Sequence, residues 1–223
     1  MALKSPRTAS LDALLDQTQS VIAGLEAVPS LAPLAKPWHA RKKQLREQRD
    51  ARDDARWAHA GASRKFAVLD AMWDGALVEL SGLAFLDSGK DANAGSYGVL
   101  FGGVSAAQAI KFGPAKATVF ADDLLAKAAK LANPALKDKL AALGNATKAV
   151  REAGDARDAA RTQSLTHEVA RVLAVEGYDK LVGETEAGIL TKHPSRKDLV
   201  RAALGWPTKE PAVQVDAGEA KGG

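Results

Sequence analysis

Apolar positions along this chain recur at helical rather than strand spacing. Behind Ser10, a good N-cap, Leu11, Leu14, Leu15, Thr18, Val21, Ile22 and Leu25 fall on one face of a helix. Pro29, Pro33 and Pro37 then punctuate a turn. From Trp38 onward, a rotation of about 100° per residue places Ala51, Ala55, Ala58, Ala62, Phe66, Leu69, Trp73, Ala76, Leu80 and Leu83 on a single stripe. This predicts one long helix over 37–87, on the order of 75 Å if straight. Gly61, Gly75 and Gly82 fall opposite the stripe, on a face read as polar, where a missing side chain leaves no core cavity.

Residues 88–113 are rich in glycine and read as a connection without continuous regular helix. Pro114 suits the first turn of a helix that carries Phe120, Leu124, Leu125 and Leu131, and Asn133-Pro134 marks the next turn. A short helix to Leu143, a break at Gly144-Asn145 and a second long helix over 146–176 are expected to follow. Pro194 and Ser195 start a last short helix that ends near Gly205-Trp206-Pro207. Leu165, Val169, Val172 and Leu173 lie off the stripe that Ala156 and Ala160 begin, so either the helix is interrupted there or two of its faces are buried.

The chain repeats itself at a spacing of 105 residues. The block from Arg46 to Arg56 recurs from Arg151 to Arg161 with eight of eleven positions identical. The same offset pairs Pro29 with Pro134, Leu31 with Leu136, Lys43 with Lys148, Trp73-Asp74 with Tyr178-Asp179, Glu79 with Glu184, and Phe101 with Trp206. Helix 10–27 is thereby expected to match 115–132, and Phe101 and Trp206 to plug equivalent ends of the bundle. Two copies can bury against each other what neither buries alone. The expected fold is all-α, with internally duplicated helical hairpins forming an elongated, coiled-coil-like four-helix-type bundle. The repeats divide the chain into 1–105 and 106–206, packed as one domain, with a mobile tail over 207–223.

Composition agrees with helices: 46% of residues are hydrophobic and only 5% aromatic, the apolar share being mostly alanine and leucine. With no cysteine, disulfides, thiolate nucleophiles and cysteine metal sites are excluded. Met1 to Leu15 carries Asp12 and lacks a signal peptide's apolar stretch, and no window approaches a membrane span, so a cytoplasmic protein is expected. The net charge of +4 is unevenly spread. Residues 36–65 hold ten Lys and Arg against four acids, whereas the four cations of 141–170 are cancelled by four acids.

The repeated Arg/Asp block projects opposite the alanine seam, with Arg46 to Asp50 and Arg49 to Asp53 spaced as i,i+4 pairs, which describes a solvated, ion-paired helix face. Lys36, Arg41, Lys42, Arg49, Arg64 and Lys65 have no basic counterparts in the second copy and are the candidate contacts for phosphates or another polyanion. His39, His59, His167 and His193 lack metal-ligand spacing, and no Glu-x-x-His occurs, which argues against a di-iron carboxylate bundle. Gly82 to Lys90 has six residues between its glycines where a phosphate loop needs about four, and Asp91 stands in place of Ser or Thr.

No catalytic, cofactor or metal site is therefore assigned. The leading expectation is a non-enzymatic structural or protein–protein interaction protein, a scaffold with a protein partner or self-association and no membrane contact. The alternative is nucleic-acid or polyanion binding through 36–65, and the third is a ligand carrier or enzyme with a cavity in the bundle.

Overall fold

The Ser10 hydroxyl accepts a hydrogen bond from the Ala13 amide at 3.1 Å, opening α1 at Leu11–Glu26, and every apolar position of the expected stripe is buried. The computed structural model describes residues 9–131 and 133–206. After α1 come a 3-10 turn at Ala32–Ala35, α2 at Lys36–Asp87, α3 at Gly95–Phe101, α4 at Ala106–Ala109 and α5 at Pro114–Leu131. A second 3-10 turn at Pro134–Leu136 leads into α6 at Lys137–Lys192, and α7 closes at Lys197–Ala203. The fold is all-helical, with no strand among the described residues, and the two long helices pack together. None of the described helices is long and apolar enough to cross a membrane. The tail expected over 207–223 lies outside the described residues.

Several expected boundaries move. Gly144-Asn145 does not break α6, because Leu143, Thr147 and Val150 continue its buried face and a side chain at Gly144 would meet only Leu125 at 3.8 Å. One glycine costs a helix about 1 kcal/mol, less than burying those neighbours returns. The helix also runs on to Lys192, well past 176. Within the glycine-rich connection, α3 and α4 both form, α4 behind a capping box in which Ser105 and Gln108 exchange hydrogen bonds. Ala58, assigned to the buried stripe, is exposed, whereas Leu77 and Ala84 are buried.

Contacts gather the chain into two units that do not follow chain order, one of residues up to 53 with those from 166, the other of 54–165. The first unit holds α1, its 3-10 turn, the start of α2, the end of α6, and α7. Its core is built on Leu14, Ile22, Leu25, Leu31, Trp38, Leu45, Tyr178 and Ile189. The Trp38 indole donates to Thr185 Oγ1 at 2.8 Å, and that hydroxyl donates in turn to the Leu181 carbonyl at 2.8 Å. Tyr178 meets Trp38 edge to face, ring centroids 5.3 Å apart. α7 comes so close to α1 that a Cβ on Gly24 would lie 2.8 Å from the Ala203 carbonyl oxygen, so no larger residue fits there. Lys192 Nζ donates to the Ser30 carbonyl at 2.7 Å, tying the end of α6 to the proline turn.

The second unit holds the end of α2, α3 to α5, the second 3-10 turn and the start of α6. Phe66, Trp73, Leu77, Leu80, Leu100, Phe101, Leu124 and Leu143 form its core. Here the Trp73 indole donates to Thr147 Oγ1 at 3.0 Å, and Thr147 donates to the Leu143 carbonyl at 2.8 Å. Asp87, the last residue of α2, accepts from Ser96 Oγ at 2.6 Å and from Asn133 Nδ2 at 2.7 Å, which joins the helix end to α3 and the turn before α6. Phe101 stacks on Tyr97 at 5.1 Å and is 3% exposed, whereas Trp206 is only partly buried against the first unit's core.

Residues 105 apart share burial at the two proline turns and along the long helices. Leu31 and Leu136, Trp38 and Leu143, Leu45 and Val150, Trp73 and Tyr178, Leu77 and Val182, and Ala84 and Ile189 are all buried. In the shorter helices the register differs. Buried Leu14, Thr18, Val21 and Leu25 match buried Ala117, Ala121, Leu124 and Ala128, which lie 103 residues on, and α5 has 18 residues to the 16 of α1. The expected match of 10–27 with 115–132 is thus displaced by two residues.

Two predictions follow from these cores. Thr147→Val and Thr185→Val keep the branched shape but leave a buried indole N–H without an acceptor, and each is expected to cost about 1–3 kcal/mol in urea unfolding. Thr191→Val, at an exposed site on α6, is expected to change stability little. Burial, and then the neighbouring Asp179 carboxylate, push the Tyr178 phenol up to about 12 from its ordinary value of 10.0. The folded state therefore holds this proton more tightly than the unfolded chain, so the stability it contributes is intact below pH 10 and is lost as pH rises toward 12. Tyr178→Phe should flatten the fall in melting temperature over that window.

Candidate functional site

The six candidate cations divide between the units. Lys36 is exposed at the start of α2, and Arg41, Lys42 and Arg49 follow it in the first unit, while Arg64 and Lys65 are exposed in the second. Three of the first four are already engaged. Arg41 reaches over Gly177, where a Cβ would stand 2.7 Å from Nη2, and donates to the Ala174 carbonyl and to Gln44 Oε1. Burial lowers the Arg41 guanidinium from its ordinary value, and no carboxylate among the described residues pairs with it. Lys42 donates to Gln19, and Arg49 pairs with Asp50 at 2.8 Å and with Asp12 at 3.8 Å. The ordinary value of Arg49 is raised by the Asp50 hydrogen bond.

The repeated Arg/Asp block pairs differently from the expected i,i+4 pattern. Arg49 takes Asp50 rather than Asp53, and Asp53 is held by Arg52 at 2.9 Å. The same adjacent pairing joins Arg157 to Asp158 at 2.9 Å, and Arg157 also covers the Phe66 ring at 4.4 Å. Lys43 with Glu47 and Lys148 with Glu152 form matching i,i+4 pairs. All are solvated, and pairs of this kind contribute roughly 0–1 kcal/mol each.

The structure brings forward a feature that the sequence reading placed on the polar side. The α2 face that carries Gly61, Gly75 and Gly82 also carries Trp57, 75% exposed, Val68 and Leu86, each 61%, and Met72, 62%. Nothing lies within 4 Å of where a Cβ would stand on any of those three glycines. On α6, Val169, Val172 and Leu173 are likewise exposed in the first unit, and Leu165 in the second. Neither an interrupted helix nor a doubly buried one accounts for these residues. α6 is continuous and its second apolar face meets solvent. On a helical wheel the exposed side chains of α2 form a second apolar arc, opposite the buried one.

Polar chemistry is sparse by comparison. His39 pairs with Glu26 at 2.9 Å on the surface, and His193 shares a 3.0 Å hydrogen bond with Ser30. His167 lines a shallow groove with Gln44, Glu47 and Gln48. Among the described residues there is no cluster of three His, Asp or Glu side chains able to hold a metal. In the second unit an open groove of about 510 Å³ is walled by Leu125, Ala128, Pro134 and Leu140, with Asn133 and Lys137 as its polar members. The chain matches no family model, no curated protein and no solved structure.

Of the six candidate cations, Arg41, Lys42 and Arg49 are engaged, which leaves Lys36, Arg64 and Lys65 for a polyanion. Changing these three to Gln is expected to leave the melting temperature unchanged, since all are exposed. Electrophoretic mobility shifts at two salt concentrations then measure polyanion binding. Weak, salt-sensitive binding by the native chain that falls further in the variant is the expected result.

Proposed function

We propose that this protein is a non-enzymatic helical scaffold, an internally duplicated four-helix-type bundle whose long helices dock other protein surfaces. The observation that carries this reading is the exposure of large apolar side chains at helical spacing, among them Val169 and Leu173 on α6, 62% and 61% exposed. Scattered single apolar residues on a surface are ordinary, but a stripe of them along one helix is the form in which proteins present a binding face. Duplication is supported by the parts each unit uses. Both combine a short helix, a proline-led 3-10 turn, the start of one long helix and the end of the other, and both repeat the Lys–Glu and Arg–Asp pairs within their long helices.

The test is retention of a partner by the immobilised native chain and by a Val169→Lys, Leu173→Lys variant. A partner held at high salt by the native chain and released by the variant is expected, since burial of apolar surface is insensitive to screening. Retention of nucleic acid that elutes as salt rises would put the polyanion reading first. Equal retention by both forms, or none by the native chain, would overturn the proposal.

A further inference from the structure

The exposed face of α2 is complementary to itself. Two copies of one helix packed antiparallel about a two-fold axis bring together residues whose numbers have a constant sum. With the axis between Ala71 and Met72, Trp57 meets Leu86, Gly61 meets Gly82, Arg64 meets Glu79, Val68 meets Gly75 and Ala71 meets Met72. Large apolar side chains then face glycine, alanine or one another, and Arg64 meets Glu79, while the exposed Lys65 lies at the flank of the face opposite Val78. All of these residues belong to the second unit, and all lie on the exposed face.

We infer that this face is an interface between two copies of the chain, joined as an antiparallel pair of α2 helices. This specifies one partner for the scaffold reading and rests on it. The charge arrangement is the main argument for a second copy over another protein. Among the described residues Arg64 has no carboxylate partner within its own chain. Glu79 is 62% exposed and holds Lys139 at 2.6 Å, which leaves its carboxylate open to a further donor. In the antiparallel pair each Arg64 finds the other copy's Glu79 twice over, once on each side of the axis. A parallel pair would instead stack Arg64 on Arg64 and Glu79 on Glu79. Open space at Gly61, Gly75 and Gly82 lets the helix axes approach closely enough for Val68 and Met72 to reach across.

The area sets the strength. From Trp57 to Leu86 the face is about 45 Å long, and a strip about 10 Å wide gives roughly 450 Å² from each copy. The total of about 900 Å² falls just short of the roughly 1,000 Å² expected of a stable specific interface, so the pair is weak and depends on protein concentration.

Sedimentation velocity over a wide concentration range tests the inference with four chains: native, Arg64→Glu, Glu79→Arg, and the double exchange Arg64→Glu, Glu79→Arg. The native chain should shift from monomer to dimer as concentration rises. Each single exchange sets like charges opposite each other twice and should weaken the dimer by about tenfold or more, and the double exchange should restore it. Both positions are exposed, and circular dichroism melts confirm that each variant is folded. A native chain that stays monomeric throughout overturns the inference, as does a dimer insensitive to the single exchanges or not recovered in the double one. A monomer that still retains a partner through Val169 and Leu173 would leave the scaffold reading standing and remove only the self-pairing.

Discussion

A buried indole N–H must find an acceptor, and inside a helical core the backbone carbonyls are already taken. Threonine resolves this. Its hydroxyl donates to the carbonyl one turn back in its own helix and turns a lone pair toward the partner helix. Thr185 does so for Trp38 in the first unit and Thr147 for Trp73 in the second, in each case joining α2 to α6. These two bonds fix the register of α2 against α6 where small residues of the seam do not. Small residues such as Ala55 and Ala153 pack almost equally well after a slide of one turn, about 5.4 Å, but the Trp–Thr bonds do not survive it.

The ends of the long helices show how that register is held. Asp87 gathers Ser96 and Asn133 at the end of α2, and Lys192 binds the Ser30 carbonyl at the end of α6. The chemistry differs in the two units while the place is the same: the turn ahead of one long helix grips the end of the other. Such contacts satisfy carbonyls and side chains that a helix terminus would otherwise leave to solvent. They also explain why the glycine-rich 88–113 segment is ordered into α3 and α4. It is anchored at Asp87 and Ser88 on one side and buries Leu100, Phe101, Ala106 and Ala109 on the other.

Much of this was legible from periodicity. The α1 stripe was read in full, and α2 was placed within one residue at its start, because long runs of correctly spaced leucine and aromatic residues leave few alternatives. The break expected at Gly144-Asn145 failed because a propensity penalty of about 1 kcal/mol is local, while burial of Leu143, Thr147 and Val150 is a tertiary gain that a scan for breakers does not see. Pairing partners were less legible still. A wheel places Arg49 beside Asp53 and about 100° away from Asp50, and only the side-chain rotamers bring Arg49 to Asp50. Exposure of Trp57 and Met72 is not legible for a related reason: a helix with two apolar arcs does not say which one the core takes.

The choice between those arcs is where the two halves of the chain part. At the positions 105 residues beyond the exposed α2 face, Trp57, Arg64, Met72 and Leu86 are replaced by Thr162, Val169, Gly177 and Thr191, while Glu79 keeps its charge as Glu184. On α6 the residue opposite Glu184 in an antiparallel self-pair would be Val169, and the one opposite Leu173 would be Lys180, so both charges would meet apolar side chains. Core positions such as Leu31 and Leu136 are held to the same buried role in both halves by packing, which tolerates little change. Outward positions carry no such constraint within the monomer. On the proposed self-pairing, the α2 face answers to a requirement outside the folded chain, recognition of a second copy, which the mismatched α6 face would not meet.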